Sequence, residues 1–351
     1  MSKKKVLSLI GSLCLILLIL ASFTMSACSS PKEEETSPIL LRWSDTPPRG
    51  KDSAYELTIQ MLADIEEKTG GRVKTEYYGG GELASGKEMY EAISKGVVDI
   101  AMSQSYQSGA LPKTEMLSIP FMCTDRAVMI KVMNELIDKY FNAEYERNGL
   151  KVIFQYWRPT FHIFSRDSLT SLEDFKGVII SAPNEVIGKG LEALGFSPRI
   201  IPGSEIYLNA QKGVIDATAN QLSTVKMESL QEVYDYILLC DFSQVVGACV
   251  INPEKYNSMP EDVREIVVNE LLKYKQDLFE LEEAGLADIL QWCKDNGFTV
   301  NTLSKENREL MQETVAHLLE EWIVAQEKGG MTDAREFVEE FIKLTDSYLA
   351  E

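Results

Sequence analysis

The chain has 351 residues, of which 45% are hydrophobic and 25% are charged, and its formal net charge is −19 at pH 7. This length is enough for two domains. A strongly acidic surface argues against nucleic acid and against anionic lipid headgroups as direct partners. The sequence therefore predicts no nucleic-acid partner.

The first 27 residues have the pattern of a secretory signal peptide. Three lysines at positions 3–5 precede an uncharged apolar run from Val6 to Phe23, and small residues then lead to Cys28. Met25-Ser-Ala-Cys28 is similar to the bacterial lipobox, in which the cysteine is acylated after cleavage. We therefore expect a lipoprotein signal peptide over 1–27 and a lipid anchor at Cys28. An uncleaved membrane helix is the alternative, because the apolar run is near the length of a spanning helix.

Residues 28–38 are predicted to be a flexible tether. The segment holds one lysine, three consecutive glutamates and two prolines, and it cannot bury enough apolar surface to fold. An acylated Cys28 followed by this tether would hold a globular part at the cell membrane, facing the extracellular or periplasmic side.

Strands and helices alternate through the first two thirds of the globular part. Strands are predicted at 39–43, 73–78, 152–156, 162–165 and 178–181, and helices at 52–68 and from Pro183 to Leu194. This alternation is typical of α/β folds with mostly parallel sheets.

An internal repeat divides this region into two similar parts. The segment from Glu88 to Ala101 and the segment from Glu205 to Thr218 share the frame E-x-Y-x-x-x-x-K-G-V-x-D at an offset of 117 residues. Each copy reads as the end of a helix, a glycine in the left-handed conformation and a β-branched strand. We expect two similarly built α/β domains, with Glu88 and Glu205 at helix starts.

A long helix is predicted to begin near Met259-Pro260 and to continue to Cys293. Proline in the first turn followed by acidic residues favours a helix start, and one apolar stripe then extends without a glycine until Gly285. A helix of about 30 residues spans about 45 Å, which is longer than one small domain. It should therefore run along both domains.

The sequence contains no recognisable catalytic or metal-binding motif. It has only two histidines, no zinc spacing, no nucleophile elbow and no phosphate-binding loop. Four cysteines lie in the globular part, and we expect buried thiols in preference to two disulfides (Cys123, Cys240, Cys249 and Cys293). We predict no enzymatic activity, no catalytic residue, no metal and no cofactor.

Polar and aromatic residues follow several of the predicted strands. In parallel sheets, ligands bind beyond the carboxyl ends of the strands. Amides, hydroxyls and aromatic rings there suit hydrogen bonding and stacking with a small molecule. Capping of ordinary loops is the alternative for each of these residues. The ligand-binding residues predicted on this ground are Trp43, Asp45, Gln104, Trp157, Arg158 and Asn220.

Several of these segments together resemble the solute-receptor subunit of TRAP transporters, the DctP type. The resemblance is carried by Ser118–Phe121, Leu172–Pro183, Leu194–Pro198 and Glu205–Asn220, and it covers roughly residues 39–300. It implies a two-lobed, periplasmic-binding-protein-like fold of type II with a long helix across both lobes. It also implies a small-molecule ligand and two integral membrane subunits as partners.

The predicted lobes follow from this resemblance. Lobe I is expected to comprise 39–156 plus about 243–283, and lobe II 157–242 plus about 284–351. The implied function is capture of a small organic solute by lobe closure and its delivery to the transporter. A ligand sensor for a membrane signalling protein is one alternative, and a lyase or isomerase on a two-domain scaffold is another.

The chain departs from the family pattern where the ligand is held. The family usually has an arginine at the position of Ser181, which forms a bidentate ion pair with a ligand carboxylate. Phe161 occupies a position that is arginine in sialic-acid-type members, whereas Asn220 matches the family asparagine. Pro183 and Tyr207 belong to the resembling motifs and complete the expected site. The ligand is then either neutral and polar or aromatic, or an acid held by Arg158 or Lys51.

Overall fold

The computed structural model describes residues 37–47, 49–50, 54–84, 86–104, 110–123 and 125–350, apart from the side chains of residues 87, 103 and 104. The predicted signal peptide and Cys28 lie outside this range, as does most of the tether. The chain from Ile39 to Glu351 forms one compact unit. In the described part of the chain, no helix has both the length and the apolar character needed to cross a membrane.

The described strands form two sheets. The first sheet has the order β2-β1-β3-β10-β4, and the second has the order β11-β9-β5-β8-β6-β7. The strands are β1 Ile39–Ser44, β2 Val73–Tyr78, β3 Ile100–Gln104, β4 Lys151–Trp157, β5 His162–Ser165, β6 Ile179–Ala182, β7 Ser197–Ile200, β8 Ala217–Asn220, β9 Tyr236–Leu239, β10 Val246–Ile251 and β11 Thr299–Thr302.

The two sheets share one topology. In the first, β1 is parallel to both β2 and β3, and β10 then runs antiparallel between β3 and β4. In the second, β6 is parallel to both β7 and β8, and β5 runs antiparallel between β8 and β9. The expected pair of similar α/β parts is confirmed. The sheets are mixed rather than mostly parallel, because β5 and β10 each arrive from the other half of the chain.

The described helices cover the faces of these sheets and form the C-terminal region. They are α1 Tyr55–Lys68, α2 Met89–Ser94, α3 Pro112–Met116, α4 Arg126–Leu136, α5 Asn142–Arg147, α6 Leu172–Phe175, α7 Glu185–Ala193, α8 Ile206–Gln211, α9 Thr224–Met227, α10 Pro253–Ser258, α11 Glu261–Asp295, α12 Lys305–Val315, α13 His317–Lys328 and α14 Ala334–Leu349. A π-helical turn joins α4 to α5, and short 3₁₀ turns precede α2 and α8.

The repeated frame ends a helix in the same way in both sheets. Gly96, after α2, has φ +70°, and Gly213, after α8, has φ +71°, a conformation that glycine adopts without steric cost. Glu88 and Glu205 directly precede these helices and are exposed, so the predicted helix-start role is confirmed for both.

The aspartate of the repeated frame anchors each strand to its neighbour. The Asp99 carboxylate accepts the backbone N–H of Arg42 at 2.9 Å, and the backbone N–H of Asp99 donates to the Arg42 carbonyl at 3.1 Å. Asp216 makes the same two bonds with Ile179, at 3.2 and 2.8 Å. The repeat therefore records one structural unit used once in each sheet.

Three connections join the two sheets. Residues 158–161 link β4 to β5, residues 240–245 link β9 to β10, and α11 is the third. The two crossover segments are bonded to each other: the Phe161 N–H donates to the Ser243 carbonyl at 2.7 Å, and the Phe242 N–H donates to the Phe161 carbonyl at 2.9 Å. This pair of bonded segments forms the base of the region between the sheets.

The long helix α11 has 35 residues and packs on both sheets, as predicted. Its first half buries Tyr274 and Leu278 in the core on one face of the first sheet. Its last turns bury Cys293 in a core beneath the second sheet. A third core connects elements beside both sheets and includes the C-terminal helices.

Candidate functional site

The loops that follow β1 and β2 pack together at the carboxyl end of the first sheet. The Asp45 N–H donates to the Tyr78 carbonyl at 2.8 Å, and the Gly81 N–H donates to the Asp45 carbonyl at 3.1 Å. Asp45 therefore lies at the edge where a ligand was expected. Gln104 ends β3 at the same edge, but its side chain lies outside the described atoms.

Arg49 is a cation at this edge that the sequence analysis missed. Its guanidinium lies 5.2 Å from the centre of the Tyr77 ring, and its Nε lies 3.5 Å from a Glu82 oxygen. About half of the Arg49 side chain is exposed. The sequence feature that could have identified Arg49 is its position in the loop after β1, close to Lys51. Lys51 lies outside the described residues.

Three aromatic residues predicted to contact the ligand are packed in the cores. Trp43 is fully buried and meets Tyr274 edge-on, with ring centres 5.9 Å apart. Trp157 and Phe161 are 2% and 3% exposed in the core that connects the two sheets. Their burial gives them a stabilising role whether or not a ligand reaches them, and contact with a ligand stays a prediction.

Arg158 lies in a buried ionic cluster with the long helix. Its Nε is 3.6 Å from a Glu282 oxygen, and Arg126 binds the same carboxylate at 2.6 Å. Arg126 also donates to the Trp157 carbonyl at 3.1 Å and pairs with Glu283. These contacts tie α4 and the end of β4 to the middle of α11. Arg158 is therefore paired within the protein, which argues against its serving as the anchor for a ligand carboxylate.

Tyr156 is a buried hydroxyl with charged residues around it. Burial raises the pKa of the Tyr156 hydroxyl well above its usual value, and the charges of Arg158, Asp45 and Glu282 act on that pKa as well. Charges of both signs therefore lie near Tyr156.

Ser181 is closed off within the second sheet. Its hydroxyl donates to the Thr218 hydroxyl at 2.6 Å across the β6–β8 pair, and the two residues are 1% and 0% exposed. A side chain with this burial and this partner does not replace a guanidinium that reaches a ligand. Contact between Ser181 and a ligand stays a prediction.

Asn220 is the last residue of β8, and its side-chain amide oxygen has hydrogen-bond partners. Its amide oxygen accepts the Gln221 N–H and the Thr224 hydroxyl, each at 2.9 Å. Within the described residues, the amide nitrogen donates to no partner, and the side chain is partly exposed. Two N–H donors of Asn220 are therefore available at the strand edge, beside His162, its paired residue on β5.

Two further predicted residues, Pro183 and Tyr207, lie beside local hydrogen bonds. Pro183 precedes Asn184, whose side chain accepts the Ile187 N–H at 2.8 Å and caps α7. The Tyr207 hydroxyl donates to Glu232 at 2.7 Å, a bond that raises the pKa of Tyr207. Tyr207 is directed to this carboxylate on a neighbouring turn.

The described side chains include groups that can bind a small molecule. His162 is buried, and burial lowers its pKa to about 4, so it is neutral at physiological pH. His317 is exposed and lies 3.9 Å from Glu321 on its own helix. In the described ranges, no three His, Cys, Asp or Glu side chains are grouped as they would be to hold a metal ion. The groups found at the carboxyl ends of the strands are the amide of Asn220, the guanidinium of Arg49 and the carboxylate of Asp45.

The chain is similar to known proteins along most of its length. The family model for bacterial extracellular solute-binding protein, family 7 (DctP), matches residues 48–326. The C4-dicarboxylate-binding periplasmic protein DctP of Rhodobacter capsulatus is 28% identical over 310 residues, which cover 85% of this chain and 90% of that protein. The sialic acid-binding periplasmic protein SiaP of Vibrio cholerae is 23% identical over 258 residues, 72% of this chain and 80% of that protein.

Solved structures share the fold. A TRAP solute-binding protein from Rhodoferax ferrireducens, in complex with copurified benzoate, superposes with a TM-score of 0.80 at 20% identity, covering 89% of this chain and 100% of that one. A marine metagenome TRAP solute-binding protein specific for aromatic acid ligands gives a TM-score of 0.79 at 21% identity, covering 88% and 99% of the two chains. The expected two-lobed α/β fold is confirmed by this likeness.

Proposed function

Because the chain belongs to the bacterial extracellular solute-binding proteins of family 7, we propose that it captures a small organic solute between its two lobes and presents it to integral membrane subunits. The chain is a solute-binding receptor of the TRAP type. Binding from both lobes would stabilise the closed form in proportion to the difference in affinity between closed and open states.

The lobes of this proposal are 39–156 plus about 243–283 and 157–242 plus about 284–351. All strands of the first sheet but the last residue of β4 fall in the first set, and β5 to β9 with β11 fall in the second. Helix α14 packs against α4, beside the first sheet. The last 16-residue helix is therefore better grouped with lobe I than with lobe II.

The proposed solute is neutral and polar or aromatic, with an organic acid as the second possibility. The observation that carries this choice is the free amide nitrogen of Asn220 at the strand edge, where Ser181 supplies no cation. Solved structures of the same fold that hold benzoate or another aromatic acid support a ring-shaped ligand, and the carboxylates of those ligands support the organic-acid possibility. An acid would have to be held by Arg49, Arg158 or Lys51.

The test is a thermal-shift screen of matched aromatic amides, alcohols and acids, followed by calorimetry on Asn220→Asp. Asp keeps the oxygen that accepts from Gln221 and Thr224 but removes the N–H donors. We expect at least a tenfold loss of affinity for a neutral ligand and a melting temperature within about 2 °C of the wild type. Asn257→Asp, at an exposed position, is the matched control.

An unchanged affinity in Asn220→Asp would remove Asn220 from the site. Hits consisting only of carboxylates would overturn the choice of a neutral ligand and direct attention to Arg49, Arg158 and Lys51.

We also propose that acylation of Cys28 holds the receptor at the outer face of the cell membrane, with residues 29–38 as the tether. The lipobox-like sequence and the extracellular class of the family support this anchor. Metabolic labelling with an alkyne fatty acid should mark the wild type and not Cys28→Ala, and fractionation should then find the variant away from the membrane. Equal labelling of both proteins would refute the anchor.

A further inference from the structure

A cavity of about 580 Å³ lies between the middle of α11 and the two crossover segments. We call it the hinge cavity. It is bounded by Pro159 and Thr160 of the first crossover, Asp241 of the second, and Phe279, Leu286 and Leu290 of α11. None of the residues that the sequence predicted for ligand binding lines it.

The cavity exists because α11 bridges a gap between two cores. The helix leaves the core of the first sheet at Leu278 and enters that of the second sheet near Ile289. Between these points Phe279 and Leu286 are only partly buried, and Leu222 lies in the cavity wall. Burying such apolar surface yields about 25 cal/mol per Å², so an apolar molecule would be stabilised there.

His162 supplies one polar group inside the cavity. It is 7% exposed, and its Nδ1 accepts the backbone N–H groups of Cys240 at 3.3 Å and Asp241 at 3.5 Å. A neutral imidazole with an accepting Nδ1 carries its proton on Nε2. Within the described residues Nε2 has no hydrogen-bond partner, and His162 lines the cavity. The Nε2–H donor is thus left for a ligand.

The charged residues around the cavity are already paired. Arg308 lies 3.1 Å from Asp241, and Arg126 pairs with Glu283. The Asp125 carboxylate accepts the Val128 N–H at 3.0 Å and caps α4. The wall contains three carboxylates and two guanidinium groups. An anion would gain no unpaired cation here, and a cation would have to displace an arginine.

We propose that the hinge cavity is a second small-molecule site, which takes a neutral amphipathic compound. The apolar body of the ligand packs on Phe279, Leu286 and Leu290 of α11, and an acceptor oxygen binds the Nε2–H of His162. This site does not depend on the solute proposed for the strand edge. Its walls include residues of α11 and of both crossover segments.

The probe for this site is phenylacetamide, with phenylacetate as the charged compound of the same shape. Ala287 is exposed and lines the cavity, so Ala287→Trp should fill it, whereas Ala284, on the same helix, is also exposed but does not line it. Calorimetric titration of the full globular protein should show phenylacetamide binding that falls at least tenfold in Ala287→Trp and is retained in Ala284→Trp.

His162→Asn tests the polar contact, because the Asn oxygen can take the place of Nδ1 while the Nε2 donor is lost. We expect it to weaken phenylacetamide at least fivefold. Phenylacetamide binding that is unchanged in Ala287→Trp would overturn the proposal. The proposal would also be overturned if the wild type showed no binding of phenylacetamide at about 10 mM, which is about the weakest binding worth detecting. Binding that is lost in Asn220→Asp and kept in Ala287→Trp would assign the probe to the strand edge and leave the hinge cavity without a ligand.

Discussion

The hydroxyl oxygens of Ser181 and Thr218 lie 2.6 Å apart between two parallel strands, and neither side chain reaches solvent. Ser181 stands at the position where the family resemblance implies an arginine. Its bond to Thr218 joins β6 to β8, and we expect recognition of the solute to fall to other groups.

Ser181→Ala should lower stability and leave solute affinity nearly unchanged. The substitution leaves the Thr218 hydroxyl buried without its partner, which costs about 1–2 kcal/mol of unfolding free energy. Urea denaturation measures this loss, and calorimetry with a solute from the screen measures affinity. Ser204→Ala, at an exposed position, is the control. A tenfold loss of affinity at unchanged stability would place the Ser181 hydroxyl on the solute.

Gly190→Ala should destabilise the protein because α7 approaches Pro120 closely. A Cβ on Gly190 would lie 2.3 Å from Pro120 Cγ and 3.1 Å from Phe242 Cζ, and a proline ring cannot move aside. Overpacking of this kind costs about 1–3 kcal/mol. The fall in the urea midpoint measures it.

Gly188→Ala, one half-turn away on the same helix, is the matched control. Its Cβ would lie 3.2 Å from the end of the flexible Ile200 side chain and at ordinary contact distance from Ala182 and Pro198. Alanine is also the better helix former by about 1 kcal/mol. We expect no loss of stability in this variant. Equal losses of stability in the two glycine variants would show that Pro120 moves to accommodate the added Cβ.

Stability should fall between pH 6.5 and pH 4 because of His162. Burial lowers the pKa of His162 to about 4, and the charge of Asp241 opposes this shift only in part. In the unfolded chain the imidazole takes its proton near its usual pKa of about 6.5. The unfolded state then binds more protons in this window, so the contribution of His162 is complete above pH 6.5 and is lost as the pH falls.

The measurement compares urea unfolding of the wild type and His162→Asn from pH 7 to pH 4. Relative to the variant, the wild type should lose on the order of 2–3 kcal/mol over this range. Parallel stability profiles for the two proteins would contradict the neutral, buried state of His162.

Local patterns in the sequence predicted the elements well. The apolar stripe and the start signal at Pro260 located α11 to within a few residues, and the bounds of β2 were predicted without error. The repeated Lys-Gly-Val-x-Asp predicted the doubled architecture, because each copy combines a glycine cap with a strand anchor. These signals involve residues that are close together in the sequence, and they can therefore be recognised in a single sequence.

Pairings between distant segments could not be predicted. β10 returns from far along the chain to pair antiparallel with β3, which made the sheets mixed. Arg158 pairs with Glu282, which is more than a hundred residues away in the sequence, and no local pattern predicts that contact. Trp43 stands at a strand end, as a ligand contact would, but it faces Tyr274 of α11. Which side of a strand end faces a cleft depends on the helix packed there.

The four cysteines of the described chain are buried, as predicted, and none is bonded to another. Burial raises the pKa of Cys240 to about 12 and that of Cys293 to about 11, so almost no thiolate forms at neutral pH. Oxidants consequently find no reactive sulfur among these four cysteines of the described chain in the folded state. Labelling of these four thiols by a thiol reagent would therefore report unfolded molecules.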